Sequence, residues 1–361
     1  MTGQQGRRLG ETAGAHGARI IMTQLKDLAR ELGLSVTTVS RALDGYPEVA
    51  EATRLRVTAA AHQAGYQPNP AAQRLRRGRS DTIAALLPGG PGVELTALME
   101  TLGACAAALA AEGLDLILVA TRDEQEETRR LARLVARREA DAFVILRTRR
   151  RDARVDWLLA KGVPFVTHGR TDRATEHAHL DGDGFAAFRD AVRRLHRDGH
   201  ARIAHIAAPA AFAFGHLRQS GAQAGAEEAG IALTVAAAAP EAAGGLAAAR
   251  ALLAAGPPPT AMLCATDAIA IGAARALREA GLAPGRDVAL WGHDNIPAAA
   301  FLDPPLASMD FADQDIGGHL ARLLVARLGG ADPATLGTVL PLRHIPRASL
   351  GRGFATQEEP Q

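Results

Sequence analysis

The chain has 361 residues, 47% of them hydrophobic and only 4% aromatic, which predicts two or three compact units with aliphatic cores. Its net charge of +2 is unevenly placed: residues 1–80 carry 12 Lys and Arg against 6 Asp and Glu, which suits a polyanionic partner, and the rest carries 29 against 33. No apolar run could span a membrane and residues 1–21 lack the apolar stretch of a secretory signal, so we exclude these classes and expect a cytoplasmic protein.

Organised sequence begins near Met22, and residues 22–67 are predicted to form a helical head. Residues 1–21 are expected to be a disordered extension, with Met22 as an alternative natural start. The stretch TQLKDLARELG places an apolar stripe at helical spacing, and Gly33 permits the left-handed turn that ends a helix. Ser35 is a good cap for the next helix. The stripe consists of Leu25, Leu28, Ala29 and Leu32.

Two short helices joined by a turn that contains glycine are typical of a helix-turn-helix, whose second helix can enter the major groove of DNA. In this second helix Val39, Ala42 and Leu43 face inward. The outward face combines methyl groups, which can contact thymine, with an arginine, which can bind guanine through two hydrogen bonds. A plain helical hairpin with a solvated face is the alternative. The outward residues are Val36, Thr37, Ser40 and Arg41.

A third helix is predicted over residues 51–64, followed by an arginine-rich hinge over residues 68–80. The hinge contains a helix too short to be stable alone, in which Leu75 stands among arginines such as Arg76. Such a segment can order on DNA, with arginines on phosphates and the leucine as a wedge in the minor groove. The third helix is expected to complete the head core through Leu55, Val57, Ala61 and Ala64.

From residue 81 to residue 349 strands alternate with helices, which predicts βαβ units and parallel sheets. TIAALLP, residues 82–88, is the continuous apolar run expected of a strand buried on both faces. The alternation restarts with RIAHIAA at residues 202–208, so we expect two doubly wound lobes facing each other across a cleft. Residues 350–361 are expected to be a flexible tail. The predicted fold class is an all-α helix-turn-helix head on a two-lobed α/β body.

Polar side chains follow several predicted strands, and ligands of open α/β sheets bind at the carboxyl ends of strands. Carboxylates together with an arginine suit a sugar, because each hydroxyl both donates and accepts hydrogen bonds. Simpler roles are open: Asp267 as a helix cap, Arg218 in a surface ion pair, Asp294 as a support for its own loop. The cleft candidates are His168, Arg170, Asp172, Arg218, Thr266, Asp267 and Asp294.

Several stretches resemble the LacI/GalR family of bacterial transcription regulators, from residue 23 to about residue 349. They are LKDLARELGLSVTTVSRAL, TRLRVTAAAHQAGYQPNPAAQRLRRGRS, GHARIAHI, RQSG, TDAIAIGAARALREAGLAPGRDVALWGHDNIP and FLDPPLASM. The resemblance implies a body like that of periplasmic binding proteins, and effector contacts at Arg218, Thr266 and Asp294. On DNA it implies base readers at Val36, Thr37 and Arg41, a phosphate contact at Thr53, and a hinge helix with Leu75 beside Asn69 and Ala72.

The chain also departs from the family pattern. Ala50 stands where relatives often have a capping Ser or Thr, and Thr266 where many have Asn. The stretch ALTVAAAAPEAAGG contains no aromatic residue where many relatives have one that stacks on the ligand. We expect Phe212, Phe214 or Trp291 to supply an apolar face instead. PFVTHGRTD is similar to relatives that sense glucosides.

Three functions compete on the sequence alone. The first is a sugar-responsive repressor, a homodimer on a palindromic operator, without cofactor or metal. The second is a transport binding protein, which shares the two-lobed body but calls for a signal peptide and no basic head. The third is an enzyme with His168 and Asp172 or Asp294 as acid and base groups, although nucleophile-elbow, phosphate-loop and zinc-protease motifs are absent from the sequence. Cys105 and Cys264 are expected to be buried, reduced thiols.

Overall fold

A computed structural model describes residues 25–66, 78–89 and 95–351, and the chain divides into two compact units after Gly78. Three expectations fall outside these residues: the extension over 1–21, most of the hinge over 68–80, and the tail beyond residue 351. The predicted domain boundaries stay predictions. Among the described residues no helix is long and apolar enough to cross a bilayer.

Over its described residues the first unit contains three helices, α1 (Leu25–Leu32), α2 (Val36–Leu43) and α3 (Glu51–Gln63). Gly33 ends the α1 turn with a φ of +65°, and the Ser35 hydroxyl caps α2 by accepting a hydrogen bond from the Thr38 amide at 3.0 Å. Both local predictions are confirmed. The buried core comprises Leu28, Ala29, Val39, Ala42, Val49, Val57 and Ala61.

One predicted core residue of the head is wrong. Leu55 is 62% exposed, whereas Val57 and Ala61 are buried. Residues two apart on a helix do not share a face, so once Val57 points inward Leu55 must point away. Val49, in the loop before α3, contributes to this core instead.

The first lobe of the second unit has a six-stranded sheet with the order β11-β5-β4-β3-β1-β2, and all its pairings are parallel. Helices α4 (Leu95–Ala111) and α12 (Ile316–Leu328) cover one face, and α5 (Glu124–Ala136) and α6 (Ala153–Lys161) cover the other. The strands are β1 (Thr82–Pro88), β2 (Asp115–Thr121), β3 (Ala142–Ile145), β4 (Phe165–His168), β5 (Ala178–Gly182) and β11 (Gly337–Leu340).

The second lobe has a parallel sheet with the order β7-β6-β8-β9, formed by β6 (Ile203–Ala207), β7 (Leu233–Ala237), β8 (Ala261–Cys264) and β9 (Ala289–Trp291). Apolar clusters cover both faces. A two-stranded antiparallel sheet pairs β10 (Ser308–Asp310) with β12 (Arg343–Ile345). The helices are α7 (Gly184–Arg197), α8 (Ala213–Ala229), α9 (Ala242–Ala254), α10 (Asp267–Glu279) and the short α11 (Pro297–Ala300).

The chain crosses between the lobes three times: after β5, after β10 and after β11. Next to the first crossing, α7 and α8 approach each other so closely that a Cβ at Gly221 or Gly225 would collide with the backbone carbonyls of Phe185 and Arg189. The amino-terminal half of α8 faces the cleft with Phe214, Leu217 and Arg218. The predicted helical head and two-lobed parallel α/β body are both confirmed.

Candidate functional site

Helix α2 carries four of the predicted DNA contacts, and three of them lie on its outward face. Val36, Thr37 and Arg41 are exposed, and Val36 presents 41% of its surface. Ser40 does not join them: it is 7% exposed, and its hydroxyl donates to Asp44 at 3.4 Å. This placement corrects the expectation for Ser40, because its side chain turns toward the end of its own helix.

The other predicted DNA contacts, which are the phosphate contact Thr53 and the hinge residues, are only partly within the described residues. Thr53 is half-buried in the first turn of α3, and its amide donates to the Ala50 carbonyl at 2.9 Å. Ala50 caps α3 without a side-chain hydrogen bond, as its departure from the family pattern predicts. The remaining candidates lie outside the described residues and stay predictions: Asn69, Ala72, Leu75 and Arg76.

A cavity of about 250 Å³ lies between the lobes of the second unit. It is close to the lower end of the range for small-ligand sites, which starts at about 300 Å³. Five predicted effector contacts line it: His168, Phe214, Arg218, Thr266 and Asp294. Among the described residues, no three His, Cys, Asp or Glu side chains are arranged to hold a metal ion.

Arg218 and Asp294 form the charged wall of the cavity in the second lobe. Arg218 Nη2 lies 3.7 Å from Asp294 Oδ1, and its Nη1 donates to the Ala265 carbonyl at 2.5 Å. His293 Nδ1 donates to Asp294 at 2.6 Å. Burial alone would raise the pKa of Asp294, but His293, Arg218 and Arg147 hold it below its usual value. Asp294 is therefore an ionised acceptor at the cavity surface.

Thr266, rather than Asp267, takes the capping role that the sequence suggests for Asp267. Thr266 is the cap of α10, since its hydroxyl accepts from the Ile269 amide at 3.2 Å, and it also lines the cavity. Asp267 is not the cap: it is fully buried, and its carboxyl accepts from Ser308 at 2.8 Å and from the Ile296 amide at 3.0 Å. Asp267 therefore supports the loop that carries Asp294.

The first lobe contributes His168 and a carboxylate that sequence reasoning missed. Burial lowers the pKa of His168, so the imidazole is neutral. Asp181, at the end of β5, lines the cavity and pairs with Arg170 at 2.7 Å. Arg170 is thus behind Asp181 rather than in the lining. Asp172 lies outside the lining and pairs with Arg150 at 3.1 Å.

Two phenylalanines supply the aromatic surface of the cavity. Phe214 lines it and stacks on Phe212, with ring centroids 5.5 Å apart, and Phe311 lines it near His168. Trp291 does not reach the cavity: it is 1% exposed, and its indole donates to the Ser308 carbonyl at 3.0 Å. The expectation for Trp291 is corrected, because its ring completes the core of the second lobe.

Arg147 is a further functional candidate that the sequence reading missed, besides Asp181 and Phe311. It lies two residues after the end of β3 and lines the cavity from the first lobe. Burial, and then Arg149, lower the pKa of its guanidinium, and its Cζ lies 4.8 Å from the centre of the Phe212 ring. Because it stands at the carboxyl end of a strand, the rule that found His168 applies to it as well.

Comparison with known proteins decides the family. The model for bacterial regulatory proteins of the lacI family matches residues 24–69, and that for a periplasmic binding protein-like domain matches residues 192–350. The HTH-type transcriptional regulator AglR of Rhizobium meliloti is 39% identical over 314 residues, covering 83% of this chain and 86% of AglR. The chain belongs to the LacI family. It is a transcription regulator of the helix-turn-helix type.

Two solved structures of LacI-family regulators share this fold. A complex of the regulator CelR with cellobiose superposes with a TM-score of 0.69 at 29% identity, over 91% of this chain and 99% of that one. The lac repressor dimer bound to operator and the anti-inducer ONPF gives 0.78 at 25% identity, over 92% and 100%. The similarity therefore extends over both the head and the two-lobed body.

Proposed function

We propose that this LacI-family regulator represses genes for carbohydrate uptake or catabolism. A small sugar bound in the inter-lobe cavity controls its affinity for a palindromic operator. The observation that carries the proposal is the pair formed by Arg218 and Asp294, a cation and an ionised acceptor on the same cavity wall. The regulator acts as a homodimer in the cytoplasm, where its DNA target is found.

The chemistry of the cavity favours a sugar. Carboxylates of Asp181 and Asp294 can accept from hydroxyl groups, and Arg218 can donate to ring or hydroxyl oxygens. The rings of Phe214 and Phe311 offer apolar surface for the C–H face of a pyranose. Cellobiose in the CelR complex is the model for the ligand class, and a glucoside is the first candidate.

Control of DNA binding follows from where the contacts originate. Because both lobes supply lining residues, the ligand must bind one arrangement of the lobes better than another, and it shifts the population toward that arrangement. We propose that this shift changes whether the hinge over residues 68–80 can order in the minor groove with Leu75 as its wedge.

An enzyme is the weaker alternative. Asp172, one of the two acids proposed to work with His168, is paired with Arg150 outside the lining. Asp294 is within the lining, but its carboxylate already accepts from His293 and is held ionised by the neighbouring cations. We therefore propose binding without turnover.

The test combines two assays on the full chain. A thermal-shift panel of mono- and disaccharides, with cellobiose included, identifies ligands because specific binding raises Tm. Fluorescence anisotropy on duplexes selected by the protein from a random pool then measures operator affinity with and without each hit. Selection of a palindromic duplex and a sugar-dependent change in affinity support the proposal; no enriched duplex, or conversion of the bound sugar to another compound, contradicts it.

A further inference from the structure

We infer that a non-covalent latch fastens the two lobes beside the cavity, formed by residues 147–150 of the first lobe and residues 211–214 of the second. The segments are far apart in the sequence and belong to none of the three covalent crossings. The Arg150 amide donates to the Ala211 carbonyl, and the Ala213 amide donates to the Thr148 carbonyl, each at 3.0 Å. Arg149 and Phe212 face each other as an isolated antiparallel bridge.

Side chains of the latch form a continuous stack across the cleft. Arg147 from the first lobe lies 4.8 Å from the ring centre of Phe212. The Phe212 and Phe214 rings stack with their centroids 5.5 Å apart, and Arg218 Cζ lies 4.9 Å from the centre of the Phe214 ring. At these distances each guanidinium is attracted to the face of its ring by a cation–π interaction. Arg147, Phe214 and Arg218 line the cavity, so a ligand that touches them stabilises the closed latch.

A buried ion network holds the first-lobe half of the latch in place. Arg154 and Asp152 are fully buried and pair at 2.6 Å. Asp152 also accepts from the Arg149 amide at 3.0 Å, and Arg154 donates to the Arg147 carbonyl at 3.3 Å. Glu127, also buried, pairs with Arg149 and Arg154 at 3.2 Å. Buried charges are costly to desolvate, and here they converge on the loop of residues 147–150. We infer that the network fixes the conformation in which this loop meets the second lobe.

The latch predicts that the cavity opens by separation of these segments rather than by bending of the crossings alone. It rests on the proposed function only for the statement that a sugar stabilises it. Its existence is a property of the protein without ligand and is tested that way.

Ala213→Pro tests the latch because it removes the amide that donates to Thr148. Ala213 is the first residue of α8, where proline is tolerated, and Phe212 has the extended conformation (φ −75°, ψ 137°) that a residue before proline adopts. Ala242→Pro is the matched control at the first position of α9. Hydrogen exchange in the sugar-free protein is expected to speed up at least tenfold at the Arg150 amide in Ala213→Pro only, with α8 still protected. Unchanged protection of Arg150 overturns the inference.

A second variant tests the same geometry by covalent closure. The bridge pair is flanked by its hydrogen bonds, and such pairs have Cα atoms about 4.5 Å apart, within disulfide range. Mild oxidation of the double variant Arg149→Cys/Phe212→Cys is expected to cross-link it fully without sugar, while the buried Cys105 and Cys264 stay reduced. The oxidised protein should exchange a bound sugar at least tenfold more slowly than after reduction. Failure to cross-link overturns the latch, whereas cross-linking of a protein that binds no sugar contradicts only the proposed function.

Discussion

Arg218 and Asp294 face each other at 3.7 Å on the cavity wall, with only 12% and 27% of their side chains exposed. Arg218 extends from α8 and Asp294 from the loop after β9, so two separate elements converge on this pair. At this separation the two groups share no direct hydrogen bond, and a ligand hydroxyl can accept from one and donate to the other. The pair can therefore both donate to and accept from a polyol, and both of its members belong to the second lobe.

Asp294→Asn tests this assignment. The amide keeps the size of the side chain but removes the charged acceptor, and hydrogen bonds to charged groups contribute about 1.5–3 kcal/mol. We expect the affinity for the sugar found in the panel to fall about 10- to 100-fold by calorimetry, with operator affinity in the absence of sugar kept. Asp156→Asn, an exposed aspartate paired with Arg173, is the control. Equal affinity of Asp294→Asn and wild type would remove Asp294 from the site.

Arg41→Ala tests the reading of the operator. A bidentate arginine contact to guanine contributes about 1–3 kcal/mol of discrimination, so both affinity and preference for the selected duplex should fall. Arg30→Ala is the control, because Arg30 is an exposed arginine on α1 whose side chain is 80% accessible. If anisotropy gives the two variants the same affinity and selectivity, the outward face of α2 does not read bases.

The stability of the second unit should depend on pH through two histidines, the fully buried His205 and the partly buried His344. Burial lowers the pKa of His205 and of His344 to about 4. Above pH 6.5 both states are neutral; as pH falls from 6.5 to 4 the unfolded state takes up protons first, so stability decreases. Each contributes up to about 3 kcal/mol over this window. In urea titrations His205→Gln, which retains a donor for the Leu263 carbonyl, should lose part of this dependence; an unchanged slope in His205→Gln/His344→Gln would contradict it.

The contact between α7 and α8 gives a stability prediction with an internal control. Gly221→Ala places a methyl group against the Phe185 carbonyl and should destabilise the protein by about 1–3 kcal/mol. Gly103→Ala, in the interior of α4 with nothing within 4 Å of the new Cβ, should instead stabilise it by about 0.5–1 kcal/mol. Urea denaturation measures both; a neutral Gly221→Ala would mean that the helices separate at little cost.

Local signals in the sequence predict much of this architecture. Gly33 and Ser35 mark the turn between α1 and α2, and the apolar run of β1 stands out by itself. Strands with weak signals were missed: β7 is alanine-rich and half exposed at a sheet edge, and β11 has four residues and returns from the far end of the chain. Their places depend on tertiary pairing, which no local pattern encodes.

The candidate site residues also divide into those that a local signal predicts and those whose place depends on tertiary contacts. His168, Thr266 and Asp294 stand at strand ends, so the topology rule found them. Whether such a residue points into the cavity depends on its neighbours: Asp172 turns to Arg150, and Trp291 turns into the core. Phe311 lies after the short strand β10, whose pairing with β12 is set by residues more than thirty positions away.

The most direct test of the account is reciprocity between the two ligands of the full chain. The operator dissociation constant is measured with and without saturating sugar, and the sugar dissociation constant with and without saturating operator. If both ligands bias one equilibrium between lobe arrangements, the two ratios must be equal and differ from one, typically by about 5- to 150-fold. A sugar that binds the wild type but not Asp294→Asn, and yet leaves operator affinity unchanged, would contradict the central claim.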